Sequence, residues 1–435
     1  MWKQAKELSA KTSPDRNRYV DFLRAVSICM VIVGHWLVAT VYIVDGDFKG
    51  EQLLFIPGLE WTQWLTWIFQ VMPIFFIVGG YANAVSLEGS RRRGERYAEW
   101  LASRLARLVT PLLVLIIGWA LLATILRLFG VEREVIKLAS QAALVPTWFL
   151  AIYIMVVILA PAAHRLWKRF GVVSVLFFLV MAIVMDALFF NGVQWPAWTN
   201  YFWVWLSVHQ LGFAWRDGRL GRPAILLLSS AIGFVCLYLL IFQGPYPLAM
   251  VGSVAGQVSN TLPPKITLMA LGVFQFGLLL ALEVPARRWL QRTSPWAATV
   301  LVNSMIMTIY LWHVTVLVIL VGILALLGAP GLDLLPGSAA WWMSRPVWIL
   351  VLAIALIPFA LSLSPLERRG RKPGERVPAS AQQVTGSILL CLGVSLLAFF
   401  GYGGGPRGLD VGACALILVG AGFSGLLPKI GRKKD

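Results

Sequence analysis

The sequence predicts an all-α polytopic membrane protein with a ten-helix core, a C-terminal two-helix hairpin and both termini in the cytoplasm. Hydrophobic residues make up 59% of the 435 residues and charged residues only 13%, a balance that soluble globular domains do not show. Twelve apolar stretches have about the 20-residue length that a bilayer core requires. They lie at residues 19–44, 64–87, 108–129, 144–162, 172–190, 201–215, 224–242, 266–282, 298–327, 347–363, 385–402 and 409–427.

The orientation follows from the distribution of the 37 Lys and Arg residues. Most of them fall in the two terminal tails and in alternate loops, and the positive-inside rule places those segments in the cytoplasm. The same distribution explains the net charge of +17 without a nucleic-acid partner. Basic clusters such as residues 91–93 and 368–372 are then topology signals, with a phosphate or lipid site as the alternative. We expect a multi-pass protein of the plasma membrane.

Polar stretches divide the chain into four parts. Residues 1–18 form a cytoplasmic tail, 19–363 the ten-helix core, 364–384 a basic cytoplasmic linker, and 385–435 the terminal hairpin with a basic tail. All four cysteines fall in apolar segments, so neither a disulfide framework nor a metal-ligand spacing is visible. We therefore expect no metal.

The first apolar stretch carries two ionisable residues, Arg24 and His35. An Arg at the centre of a membrane span costs roughly 2.5 to 3.5 kcal/mol on insertion scales, so such residues are candidates for function. Eleven residues advance an α-helix by about 1100° and about 16 Å, which returns to nearly the same face. The two side chains are therefore predicted to lie on one stripe at two depths.

Five segments of the chain together resemble the acyltransferase 3 family of integral membrane acyltransferases. The first contains Asp21, Arg24 and, after ten intervening residues, His35. The Arg-ten-His spacing alone is weak, but all five segments occur in the order typical of the family. They are RYVDFLRAVSICMVIVGHW from residue 18, MPIFFIVGGYANA from 72, RLARLVTP from 104, PTWFLAIY from 146 and SMIMTIYLWH from 304. Gly79-Gly80 departs from the usual Ser-Gly, and it is typical of close helix packing.

The resemblance implies an acyl-CoA-dependent O-acyltransferase. It would move an acyl group, most often acetyl, from a cytoplasmic acyl-coenzyme A to a hydroxyl of a glycan or glycolipid of the cell envelope. Its expected partners are acetyl-CoA or another acyl-CoA as donor, the acceptor and the lipid bilayer. The sequence leaves the oligomeric state open, with a homo-oligomer as one alternative.

Under this resemblance Arg24, Arg104 and Arg107 are predicted to bind the donor, because guanidinium groups give charge-assisted hydrogen bonds to phosphate. Asp21 lies three residues before Arg24 on the same helical face. It is predicted to orient or neutralise Arg24. A structural ion pair between the two is the alternative to a direct ligand role for Arg24.

His35 is the predicted catalytic residue, as a general base for the attacking hydroxyl or as the group that captures the acyl chain. His313 is the second catalytic candidate. If its span starts near Ala298, His313 reaches the depth of His35 and the two imidazoles converge. The alternative for each histidine is a packed, hydrogen-bonded structural role.

Three further residues are candidates for substrate binding or support. Tyr310 lies one turn before His313, and a structural role is favoured for it. Asn303 lies nearer the cytoplasm on the same predicted span. Trp148 follows Pro146, where a helix start at the outer surface is expected, and an interfacial anchor explains its position.

The alternative function is a secondary transporter, because twelve spans with both ends inside are a common carrier layout. A carrier predicts a repeat of one half of the chain in the other, and the sequence shows no such repeat. A glycolipid flippase is a weaker third alternative.

Overall fold

The computed structural model describes residues 2–13, 16–254, 256–367, 376–403 and 410–427. Within these ranges the chain is helical apart from loops, short 3-10 turns and one hairpin of β1 (Ala39–Val44) and β2 (Asp47–Gln52). The α-helices are α1 (Trp2–Ala10), α2 (Arg18–Val38), α3 (Thr66–Phe69), α4 (Met72–Arg92), α5 (Tyr97–Leu128), α6 (Arg133–Phe170), α7 (Val172–Phe190), α8 (Asn200–Arg216), α9 (Pro223–Phe242), α10 (Ile266–Ala281), α11 (Glu283–Trp289), α12 (Thr293–Asn303), α13 (Ile306–Leu326), α14 (Ala339–Glu367), α15 (Ser380–Phe400) and α16 (Val411–Phe423).

Nine helical segments in the described ranges are long and apolar enough to cross a bilayer. A tenth results if α10 and α11, which meet at an angle of 54°, count as one span. These segments confirm an all-α polytopic membrane protein. Helix α8 has 17 residues and α16 has 13, below the length of about 20 residues that a span requires. The total of twelve spans therefore stays a prediction.

The hydropathy predicted one apolar span from residue 19 to residue 44. The structure shows that the helix does not extend over this whole stretch. Helix α2 ends at Val38, and the next six residues form β1, which pairs antiparallel with β2. Asp45 and Gly46 connect the strands with φ angles of 54° and 87°. Positive φ at both central residues is the requirement of a two-residue type I′ turn. The hairpin therefore shortens the first span by six residues.

The second apolar stretch lies within one candidate span, Glu60–Arg92, whose helix is broken between Phe69, the last residue of α3, and Met72, the first residue of α4. The side chain of Gln70 is buried at this break. Gln275 of α10 donates from Nε2 to the carbonyl oxygens of Trp67 (2.8 Å) and Gln70 (3.1 Å). Backbone groups inside a membrane protein need such partners, since lipid offers none.

The predicted span at residues 298–327 is also two helices, because α12 ends at Asn303 and α13 begins at Ile306. The carboxylate of Glu367, at the end of α14, accepts the backbone N–H groups of Met307 and Thr308, each at 3.1 Å. A carboxylate at a helix N-terminus satisfies donors that have no intrahelical partner and complements the helix dipole. The start of α13 therefore has its own stabilising group.

Contacts divide the chain into two compact units. The first unit comprises Met1–Ser86, Ala160–Ser304 and Ala329–Val347. The second unit comprises Leu87–Leu159, Met305–Gly328 and Trp348–Asp435.

Within the first unit, α8 is buried on almost every side and crosses α4 at two glycines. A Cβ atom on Gly80 would overlap the carbonyl oxygen of His209, and one on Gly212 would overlap that of Ile77. Beside this crossing, Nδ2 of Asn83 lies 3.1 Å from Nε2 of His209. Small residues allow helix backbones in membrane proteins to approach closely, as Gly79-Gly80 predicts.

Within the second unit, the C-terminal hairpin of α15 and α16 is held together by small residues. A Cβ atom on Gly420 would lie 2.5 Å from the carbonyl oxygen of Gly386. The hairpin also contacts α5, because Gln383 donates to the carbonyl of Ala98 at 3.0 Å and the Tyr402 hydroxyl donates to that of Ile116 at 3.0 Å. The hairpin is therefore packed into the second unit. The basic residues 368–375 of the predicted linker lie outside the described ranges.

The contact between α4 and α8 gives a direct test. Gly212→Ala should destabilise the protein by about 1 to 3 kcal/mol, the usual range for overpacking, because the added methyl group meets backbone. Gly322→Ala is the matched control, since Gly322 is also helical and a Cβ there would meet nothing within 4 Å. Thermal unfolding in detergent should show a lower midpoint for Gly212→Ala alone. Equal midpoints for the two variants would contradict the close approach.

Candidate active site

Arg24 and His35 lie on one unbroken helix, α2. The helix begins after Asn17, whose side-chain oxygen accepts the N–H of Tyr19 at 3.1 Å. The eleven residues between Arg24 and His35 correspond to about 16 Å along the axis. Both residues therefore lie on one continuous helix at two depths, which is the arrangement that the sequence predicted.

The guanidinium of Arg24 is held by two side chains of the first unit. Its Nε donates to Oδ1 of Asn303 at 2.6 Å, and its Nη2 donates to Oδ1 of Asp21 at 2.9 Å. Asn303 in turn donates to the backbone carbonyl of Asp21 at 2.9 Å. The Arg24 side chain is 32% exposed, and no described residue accepts a hydrogen bond from its Nη1. The ion pair with Asp21 is therefore present and still leaves donor capacity for a ligand.

The N-terminal end of α2 is fixed to α11, at its first residue and at the residue that follows its last turn. Asn17 donates to Oε1 of Glu283 at 3.2 Å, and Arg18 donates to the carbonyl of Leu290 at 2.9 Å. Trp215, at the end of α8, donates to Oε2 of Glu283 at 2.9 Å. These contacts hold the Arg24 end of α2 in place.

His35 lies in the last turn of α2, where its carbonyl oxygen accepts the N–H of Ala39. Its side chain is half-buried. The preceding residue, Gly34, contacts α3, since a Cβ on it would lie 3.2 Å from Cδ1 of Phe69. Phe69 directly precedes the break at Gln70. His35 is therefore carried by the turn of α2 that leads into the β-hairpin and packs beside the interrupted span.

His313 and Tyr310 lie together on α13 in the second unit, where both are buried. The Tyr310 hydroxyl donates to the carbonyl of Pro146 at 2.8 Å, and its ring packs edge-on against Phe149 at 5.7 Å between centroids. These two contacts hold Tyr310 within the second unit, and its structural role stays a prediction. Nδ1 of His313 lies 2.6 Å from the carbonyl oxygen of Tyr310. Because a carbonyl only accepts, Nδ1 carries the proton, and in the neutral ring Nε2 is the proton acceptor.

The expectation that one span carries Asn303, Tyr310 and His313 is wrong. Asn303 ends α12, whereas His313 is the eighth residue of α13 and lies about 10 Å from its start. The depth estimate that started this span near Ala298 therefore does not hold. The convergence of His35 and His313 stays a prediction.

The remaining candidates lie in the second unit. Arg104 is half-buried on α5, with its guanidinium 6.0 Å from the ring centroid of Trp100, and Arg107 is exposed one turn later. Trp148 does not follow a helix start, because α6 begins at Arg133 and continues through Pro146. Proline is thus accommodated inside this helix, which corrects the predicted boundary. Donor binding by Arg104 and Arg107 and the anchoring role of Trp148 stay predictions.

A buried ion pair joins Asp186 of α7 to Lys265, the residue before α10, and it was not predicted from the sequence. Asp186 is 1% and Lys265 0% exposed, with 4.0 Å between Oδ1 and Nζ. Asp186 also accepts hydrogen bonds from Asn200 Nδ2 (2.8 Å), the Tyr246 hydroxyl (3.1 Å) and the N–H of Ile266 (2.9 Å). The loop before α10 is thereby fixed to α7.

The environment of Lys265 is unusual for a lysine. Burial lowers its pKa to about 8, and the Asp186 carboxylate opposes that shift. Its Nζ lies 3.8 Å from the ring centroid of Phe189 and donates to the carbonyl of Pro263 at 3.2 Å. Buried charges need such compensation. No three His, Cys, Asp or Glu side chains in the described ranges are placed to hold a metal ion.

A sequence model of the acyltransferase 3 family, described as an acyltransferase domain, matches residues 17–364. No curated protein and no solved structure matches the chain. The family match spans well over half of the 435 residues and includes all of the candidate residues above. The chain therefore belongs to the acyltransferase 3 family and is a membrane acyltransferase.

The buried ion pair predicts an asymmetric response to substitution. Asp186→Ala should destabilise the protein more than Lys265→Met, because it leaves a buried ammonium and three hydrogen-bond donors without their acceptor. Loss of one partner of a buried pair costs about 3 to 5 kcal/mol. Thermal unfolding of both single variants and the double variant measures this, with the double variant closer to the parent than Asp186→Ala is. Additive losses in the double variant would show that the two residues do not interact.

Proposed function

We propose that this member of the acyltransferase 3 family moves an acyl group, acetyl in the first instance, from cytoplasmic acyl-CoA to a hydroxyl of a glycan or glycolipid. We place it in the plasma membrane, with the acceptor in the outer leaflet or beyond it. The observation that carries the proposal is that α2 joins Arg24 to His35 without a break. A guanidinium suits phosphate recognition and an imidazole suits proton transfer. One rigid helix can therefore separate donor binding from chemistry.

The Arg24 end of α2 supports donor binding through its charge. Among the described residues, four arginines and two carboxylates form contacts at this end, and the excess of positive charge suits the phosphates of coenzyme A. These residues are Arg16, Arg18, Arg24, Arg287, Asp21 and Glu283. Under the proposed orientation this end faces the cytoplasm, where acyl-CoA is found. Arg104 and Arg107 are the proposed further donor ligands.

The His35 end of α2 supports acceptor binding through its position. The helix leads directly into the β-hairpin, whose second strand is exposed along its whole length. Under the proposed orientation the hairpin lies on the outer side of the membrane. An acceptor hydroxyl would reach His35 from this side, while the narrow pantetheine arm of the donor would reach it from the cytoplasm.

The proposed chemistry is a single transfer. The neutral imidazole of His35 takes the proton of the acceptor hydroxyl as the hydroxyl oxygen attacks the thioester carbonyl. The carbon–sulfur bond breaks, and the departing thiolate takes the proton from the imidazolium to give free coenzyme A and the ester. His313 is the second proposed catalytic group, with Nε2 as its proton acceptor. The alternative is a two-step route through an acyl-imidazole on His35.

One observation favours a carrier as the second candidate. The break between α3 and α4, with Gln70 and Gln275 buried beside it, is the kind of interruption that lines substrate sites in secondary transporters. Membership of the acyltransferase 3 family supports transfer instead. Binding of a glycolipid without any transfer of label would favour the carrier.

The principal test is transfer of label from acetyl-CoA. Purified protein is incubated with radiolabelled acetyl-CoA and an extract of lipids and glycans. The parent should label a glycoconjugate, and His35→Ala should lower the rate at least about a hundredfold, since a proton-transfer group is worth 10² to 10⁴. Parallel reactions with succinyl-CoA and a longer acyl-CoA test the choice of acyl group.

Cys29→Ala is the matched control, because Cys29 lies exposed on the same helix. It should keep the parent rate, and all three proteins should share one thermal midpoint. Equal labelling by the parent and His35→Ala would remove His35 from the mechanism.

The two chemical routes differ before any acceptor is added. An acyl-imidazole route predicts about one acetyl group bound per protein after mixing with labelled acetyl-CoA alone, removable by hydroxylamine and lost in His35→Ala. The direct route predicts no covalent label on the parent. Rapid quenching followed by mass spectrometry of the peptide that contains His35 decides between them.

A further inference from the structure

Asp21 holds two arginines at once. Its Oδ1 accepts Nη2 of Arg24 at 2.9 Å, and its Oδ2 accepts Nε of Arg16 at 2.5 Å. The Asp21 side chain is 11% exposed, whereas Arg16 is 54% and Arg24 32% exposed. One buried carboxylate thus holds two guanidinium groups side by side at the N-terminal end of α2.

Among the residues that the structure describes, neither guanidinium has an acceptor for every one of its N–H groups. Arg16 donates from Nε to Asp21, and no described residue accepts a hydrogen bond from its two terminal nitrogens. Arg24 donates from Nε to Asn303 and from Nη2 to Asp21. Its Nη1 has no acceptor among the described residues. A neighbouring arginine behaves differently, because Arg18 donates to the carbonyl of Leu290 and stacks on Trp296 at 5.1 Å. The remaining donor capacity therefore lies on Arg16 and Arg24.

We propose that Asp21 positions Arg16 and Arg24 as a clamp for a phosphate monoester, the 3′-phosphate of the acyl donor. This inference rests on the proposed function, because it takes the donor to be an acyl-CoA. Arg16 would be a donor-binding residue outside the Arg-ten-His spacing, and Asp21 a positioning residue.

The charges support a monoester rather than a phosphodiester. Two guanidinium groups at close range repel each other, and Asp21 offsets that repulsion while the site is empty. A phosphate monoester carries a charge of about −1.5 to −2 at pH 7, and its three terminal oxygens can accept from both arginines together. Each phosphate of a pyrophosphate diester carries one negative charge and fewer unshared oxygens. The paired arrangement therefore matches the monoester best.

The test compares coenzyme A with 3′-dephospho-coenzyme A, which lacks only the monoester. Binding is measured by calorimetry on the full-length protein in phosphatidylcholine nanodiscs. The parent should bind coenzyme A more tightly, and Arg16→Gln should weaken that binding by about tenfold or more, the loss expected for a hydrogen bond between charged groups. The same substitution should change binding of the dephospho compound less than about threefold. Equal weakening for the two compounds would overturn the clamp.

Arg288→Gln is the control, because Arg288 is exposed on α11 and forms no part of the clamp. It should bind both compounds as the parent does. Asp21→Asn should raise the KM for acetyl-CoA more than the KM for acetyl-dephospho-CoA and leave kcat nearly unchanged. A purely structural role for Asp21 would instead lower the thermal midpoint and reduce kcat with both donors.

A phosphate monoester could also come from a lipid headgroup, so the measurements are repeated in nanodiscs that contain phosphatidic acid. If Arg16→Gln has an effect only in those nanodiscs, the arginines bind lipid and the donor clamp is overturned. Failure of the proposed function has a different signature. A parent protein that discriminates the two compounds through Arg16 but never transfers acetyl would retain the clamp and lose the function. One that transfers acetyl equally with and without Arg16, at acetyl-CoA concentrations well below the KM, would retain the function and lose the clamp.

Discussion

Hydrogen bonding of the backbone is the constraint on which this structure depends. A protein that crosses lipid can interrupt a helix only where other protein groups satisfy the released N–H and C=O groups. The chain supplies those groups from side chains far away in sequence. Gln275 donates to backbone carbonyls at the break after Phe69, and Glu367 accepts backbone N–H groups at the start of α13. Both interruptions are thus specified by residues that a local sequence pattern does not connect to them.

Helix α2 differs from the interrupted segments because it is continuous. Helix α3, which α2 meets at Gly34, ends at Phe69. Helix α12, which α2 contacts through Arg24, ends at Asn303. Helix α2 itself runs from Arg18 to Val38 without a gap. The contacts of its first turns with Glu283 and Leu290 fix one end, and the hairpin fixes the other. A continuous α-helix keeps a constant rise of about 1.5 Å per residue. The separation between Arg24 and His35 is therefore a fixed length, which is the property that a divided donor and acceptor site needs.

The sequence predicted what depends on composition and on local spacing, and it missed what depends on partners. Hydropathy identified a polytopic all-α protein, and the three-residue spacing identified the pair of Asp21 and Arg24. The hairpin was missed although Asp45-Gly46 after a β-branched run is a strong turn signal, because apolar residues continued across it to Val44. The gap between α12 and α13 was missed because the apolar residues on either side of Asn303 and Ser304 merge into one long hydrophobic stretch. Gln275 is far in sequence from the break at Gln70, and Lys265 is far in sequence from Asp186, so no local pattern could pair them.

Two ion pairs in the first unit show how burial decides between structure and function. Asp186 and Lys265 are both almost fully buried, and the carboxylate accepts three further hydrogen bonds. The charges of the two residues are compensated by partners within the protein. The pair therefore holds the loop before α10, and neither side chain is exposed to a ligand. Asp21 is also largely buried, but its partner Arg24 is exposed to about a third, and within the described ranges some of its N–H donors have no acceptor. A carboxylate inside and a guanidinium at the surface give a group that is fixed in position and still able to bind. The exposed half of an ion pair, rather than the pair itself, is therefore the part that can bind a ligand, and this is why the proposed donor site is built on Arg24.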